Sequence, residues 1–151
     1  MNILSAVIAG VVASLVFSIV LTMAPRMGMP KMDIVSLLGS MFSTKSNQAL
    51  GWMMHLMMGI VFALIYAFLW SAGVSAATWL GGLIFGVAQW LVVGMVMGMM
   101  PMLHVGIKSG AVKAPGLWMT NNGGLMAFMG GLVGHMIFGV VIALMYARSN
   151  F

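Results

Sequence analysis

Two histidines, His55 and His135, stand inside long apolar runs of this 151-residue chain. Each has a glycine one helical turn away on either side: Gly51 and Gly59 about the first, Gly131 and Gly139 about the second. An ionisable side chain in such a run is a functional candidate, because lipid solvates it badly and it must find a partner. Glycine at these steps strips volume from the histidine face, so a neighbouring helix or a flat ligand can lie against the backbone. Three chemistries are open to the pair. The first is a packing seam in which each imidazole hydrogen-bonds a neighbouring helix, with Gln89, Ser14 and Ser18 as candidate partners. The second is a single b-type haem with His55 and His135 as axial ligands, since neutral imidazole ligates iron well. The third is Cu(I), which suits soft thioethers combined with imidazole. Methionine supplies 20 residues, and Met99 and Met100 lie close to His104. Methionine is also an adaptable apolar filler, and His104 alone, just past Pro101, reads as a solvated interfacial residue.

The residues needed for most other chemistry are missing from the sequence. Without cysteine there is no disulfide, thiolate zinc site or iron–sulfur cluster. Asp33 is the only acid, so no carboxylate pair can share acid and base roles. No nucleophile stands with a base and an orienting acid, and no glycine-rich loop ends in the lysine of a phosphate cradle. The expectation is a non-catalytic protein. The net charge of +5 comes from six Lys and Arg scattered singly between apolar runs, which is no nucleic-acid footprint.

With 63% hydrophobic residues, 5% charged and a mean hydropathy of +1.16, the chain has too few charges to cover a water-soluble globule. Four runs free of charge reach the roughly 20 residues that a bilayer demands of a helix: Ile3–Ala24, Leu50–Trp70, Trp79–Met100 and Gly123–Ala147. No alternating pattern suggests a barrel, so helices must satisfy the backbone within lipid. The fold expected is an all-α membrane protein, residues 1–151 forming one integral membrane domain. No small-residue cleavage signal follows the first run, which is therefore expected to stay.

Arg26, Lys31, Lys45, Lys108 and Lys113 all fall in the two longer connections, so the positive-inside rule makes those loops cytoplasmic and places both termini outside. Tyr66, Trp70, Trp79 and Tyr146 then read as an outer aromatic belt, with Trp52 and Trp118 at the inner interface. Within the first long loop, residues 30–43 place Asp33, Ser36, Ser40 and Ser43 on one face and Ile34, Val35, Leu38, Met41 and Phe42 on the other. That pattern predicts a short amphipathic helix lying in the interface, with Asp33 in its first turn.

An internal repeat organises the four spans. His55, Gly59, Val61, Ala63, Leu64, Tyr66 and Ala67 recur as His135, Gly139, Val141, Ala143, Leu144, Tyr146 and Ala147, seven identities in thirteen positions. Gly10, Leu15, Val16, Val20, Met23 and Pro25 line up with Gly86, Leu91, Val92, Val96, Met99 and Pro101. The chain reads as a duplicated helical hairpin whose copies point the same way across the bilayer. The two histidines, each about 18 Å along its helix from the matched alanine, should share one depth.

Two resemblances follow from these motifs. Paired histidines on the second and fourth spans, in glycine-lined pockets, resemble the cytochrome b bundle, which implies haem ligation. That bundle carries two ligands on each such helix where this chain has one, so one haem at most is implied. More extensively, Gly10-x2-Ala13-Ser14, Met27-Gly28-Met29-Pro30-x2-Asp33-Ile34, Gly51-Trp52-x2-His55-x3-Gly59, Gly81-Gly82-x2-Phe85-Gly86 and His135-x3-Gly139 with Tyr146 resemble a family of small bacterial four-helix inner-membrane proteins of unknown function. Ala147 replaces the glycine of that pattern after Tyr146. This resemblance implies the fold and the two-histidine pattern, and no reaction. The overall expectation is an accessory or scaffold subunit in the lipid bilayer, packing its glycine ridges against other membrane subunits or copies of itself.

Overall fold

The computed structural model describes residues 1–148. Four long helices, α1 (Ile3–Met23), α3 (Gln48–Ser71), α4 (Trp79–Met99) and α6 (Gly124–Arg148), are joined by loops that hold two short ones, α2 (Ile34–Gly39) and α5 (Val105–Lys108). All four long helices are long and apolar enough to cross a membrane. Each of the first three starts on a polar cap: the side chains of Asn2, Asn47 and Thr78 accept from Ser5 N, Leu50 N and Gly81 N, satisfying backbone donors that a helix end leaves open. The bundle is polar side in. Ser14, His55, Gln89 and His135 are buried, while Ile8, Ile19, Val61, Ile84, Val92 and Leu144 are exposed. A multi-pass membrane protein has this arrangement, with lipid rather than water around it.

Close approach is the work of small residues. A Cβ added to Gly10 would fall 2.7 Å from Gly59 O, and one added to Gly82 would fall 2.3 Å from Gly139 O. Ala63 and Ala143 extend the same contacts. Thus α1 packs on α3 and α4 on α6 through small residues, with Gly59 and Gly139 at matching positions of the repeat and their partners Gly10 and Gly82 one helical turn out of register with each other. A second contact joins α1 to α6, where Phe17 lies against Gly134 and Asn2 N donates to the Tyr146 hydroxyl at 3.0 Å.

Three expectations need correction. The predicted interfacial helix over 30–43 is only six residues long, and Asp33 is its N-cap, with Oδ1 accepting from Ser36 N at 3.0 Å. Rather than lying free, α2 is packed on α3: a Cβ on Gly51 would meet Val35 O, and Leu37, Leu38 and Ser40 are buried. Amphipathic spacing could not show that the polar face would also find a protein partner. Of the outer aromatic belt only Trp79 faces outward; Tyr66, Trp70 and Tyr146 are buried. Tyr66 donates to Gln89 Oε1 at 2.6 Å and Trp70 stacks on Phe85 with centroids 5.6 Å apart, so these rings tie the helices together. Tyr66→Phe should therefore destabilise the bundle by about 1 kcal/mol, read as a lower unfolding midpoint in detergent.

His104, expected at the water boundary, is fully buried. Its Nε2 donates to Leu37 O at 2.8 Å and its Nδ1 accepts from Ile107 N at 3.1 Å, capping α5. Beside it Val105 N and Gly106 N donate to Met41 O and Ser40 O. The histidine is a rivet between the two long loops.

Candidate functional site

The structure brings His55 and His135 against one and the same ring. Phe17 of α1 has its centroid 6.0 Å from that of His55 and 5.0 Å from that of His135. Both imidazoles line a central cavity of about 60 Å³, walled also by Phe17, Trp90, Phe138 and Met119. The pair therefore occupies one region of the bundle and faces inward, as the repeat implies.

Hydrogen bonding separates the two. Ser18 donates its only hydroxyl proton to Ser14 O at 2.9 Å, so towards His55 Nε2, 3.0 Å away, the Ser18 oxygen can only accept. Ser14 O, 3.3 Å from the same nitrogen, is likewise an acceptor. His55 thus donates through Nε2. In His135 the donating nitrogen is the other one: Nδ1 donates to Gly131 O at 2.8 Å, one turn back along α6. Of the three partners predicted for the histidines, Ser14 and Ser18 serve His55, whereas Gln89 is engaged by Tyr66.

The repeat register explains the difference. Positions that match Gly10 to Gly86 match Ser14 to Trp90 and Ser18 to Gly94. Where His55 meets two serines, His135 meets the indole of Trp90, centroids 4.9 Å apart. The space over Gly94 is filled by Trp118, whose ring would be struck by any Cβ there. Trp118 and Met119 hold φ of 48° and 59°, a left-handed pair outside glycine, and such backbone persists only where its surroundings impose it. Here the constraint is the burial of Met119 against the cavity and the packing of half-buried Trp118 on Gly94 of α4. Neither Phe17, Trp90 nor this plug stood out in the sequence, although the register of the repeat already set Trp90 opposite a serine.

These positions do not fit a haem. The Nε2 of His55 already faces two oxygens, Ser18 Oγ and Ser14 O, and Phe17 packs against both imidazoles. The glycines expected to cradle a flat ligand are filled as well: a Cβ on Gly51 would meet Val35 O, one on Gly59 the Ser14 hydroxyl, one on Gly131 the Trp90 ring, and one on Gly139 the backbone of Gly82. Organic ligands occupy pockets of about 300–1,000 Å³, whereas 60 Å³ has room for a few molecules the size of water. The Cu(I) set fares no better, because both His104 nitrogens are engaged and Met99 is turned outward, 59% exposed. Among the described residues no group of three or more His, Cys, Asp or Glu is placed to hold a metal ion.

What the arrangement does chemically is hold two imidazoles that face oxygen acceptors through opposite ring nitrogens in an apolar interior. No curated protein and no solved structure matches the chain. A family model matches residues 1–150, and the chain therefore belongs to a family of unknown function, DUF6789.

Proposed function

We propose that the protein is a non-catalytic accessory subunit of a membrane assembly, seated in the cytoplasmic membrane of a bacterium with its two long loops inside. The observation that carries this reading is the outer face of α3. Of the four spans α3 is the least buried within the chain, at 22% of its spanning window, and Met53, Met57, Val61, Ile65 and Phe68 form an exposed apolar ridge along it. From Met53 to Ile65 the ridge runs at i, i+4, the spacing that packs one helix into the groove of another, and Phe68 closes it at i+3. The glycine seams, by contrast, serve contacts within the chain, so an outside helix would meet the methionine and β-branched ridge instead. Scaffold work also suits an interior whose histidines and glycines are already engaged by their own neighbours.

A photoreactive residue at Met57 or Val61 tests this directly. Crosslinks to a protein of defined mass are expected in intact membranes, and adducts with lipid alone would overturn the reading. The purified protein is expected to show no Soret band; a haem spectrum abolished by both His55→Ala and His135→Ala would replace the subunit reading with electron transfer. Orientation has its own test, made clean by the absence of native cysteine. Lys45→Cys and Lys113→Cys should react with an impermeant maleimide only after the membrane is opened, and Ser75→Cys should react in intact cells.

A further inference from the structure

A groove that adjoins the histidine cavity, sharing Leu21, Met32 and Ile34 with it, opens where α1 ends. Its volume is about 260 Å³, and Leu21, Thr22, Lys31, Asp33, Ile34 and Trp52 lie on its wall. Polarity runs along it in one direction. The deep part is formed by Leu21 and Ile34 with Ser18, whereas Lys31 and Asp33 stand on the loop beyond the last turn of the span. Trp52, 39% exposed, borders it from the start of α3, the depth at which indole side chains favour a membrane–water boundary.

The charges are what make the groove specific. Asp33 is the only carboxylate side chain in the protein and Lys31 stands two residues away. Both are exposed, and among the described residues neither enters an ion pair. Asp33 engages Ser36 N through one oxygen, Oδ1, in capping α2. One open cation and one open anion on the rim of an apolar slot complement a headgroup that bears a phosphate and an ammonium on a short linker, with acyl carbon below. A headgroup with a phosphate alone would leave Asp33 facing like charge, and a quaternary ammonium has no N–H to donate to the carboxylate.

We propose that this groove binds a zwitterionic phospholipid with a primary amine, the phosphate on Lys31, the ammonium on Asp33 and the first chain carbons against Leu21 and Ile34. The test is native mass spectrometry of the full chain in detergent, offered dioleoyl phosphatidylethanolamine, phosphatidylglycerol or phosphatidylcholine. Phosphatidylethanolamine should be retained at least several-fold better than the other two. Asp33→Asn keeps an N-cap for α2 and should erase the preference over phosphatidylglycerol, while Lys31→Gln should weaken both lipids several-fold. Equal retention of all three lipids, or an unchanged preference in Asp33→Asn, would overturn the assignment. Binding of chain-free glycerophosphoethanolamine as tightly as of the lipid would overturn it too, by assigning the groove to a soluble ligand.

Discussion

Gly139→Ala should cost about 3 kcal/mol or more and leave much of the protein misassembled. An added Cβ would fall 2.1 Å from Gly82 O and 3.0 Å from Gly86 N, backbone atoms of a facing helix that no rotamer change can move. The helices would have to part along the seam, at a cost at or above the upper range of overpacked cores. Gly82→Ala strikes the same contact from the other side, 2.3 Å from Gly139 O, so the double variant should lose much less than the sum of the two. Gly28→Ala is the control. Gly28 has φ of 81° and open space around its Cβ direction, so only the left-handed backbone is penalised, by about 1 kcal/mol. Reversible unfolding in mixed micelles measures all four variants. Equal losses for Gly28→Ala and Gly139→Ala would refute the seam.

His104→Ala is expected to cost about 2–4 kcal/mol, combining a lost cap, a lost hydrogen bond and a cavity in a fully buried site. The loss should be local in its first effect. Amide exchange at Val105, Gly106 and Ile107 should accelerate before exchange in α3 or α6 does, because the first two are bonded to α2's trailing residues and the third to His104 itself. His104→Asn, which retains an N-cap acceptor, should recover part of the loss. A His104→Ala protein as stable as the parent would mean that the loops hold together without their rivet.

Spans, their number and the inward pairing of His55 with His135 were all legible in the chain, because charge-free length and repeat spacing are one-dimensional signals that lipid enforces strictly. Burial of the loops was not. His104 and Ser40 occupy polar, proline-flanked or serine-rich stretches, and nothing local distinguishes a residue solvated by water from one solvated by another loop's carbonyls. The aromatic residues failed for a related reason. Tyr66, Trp70 and Tyr146 lie towards the ends of their helices, where a belt is expected, but position along a helix does not fix azimuth, and all three rings are buried in the bundle. Glycine spacing showed that something approaches closely at Gly59 and Gly131 without saying what. The answer, a serine hydroxyl in one copy and an indole in the other, lay in the residues opposite.

That mismatch between copies limits how the molecule can be rebuilt. A chain made from two first hairpins would set a serine where Trp90 now fills the middle, and would have no counterpart of Trp118 and Met119 to stopper one end. Two second hairpins would drive a pair of indoles into room meant for one. The halves have become complementary rather than interchangeable, so separately expressed α1–α3 and α4–α6 fragments should recover the native bundle only as a mixture, never as either fragment alone.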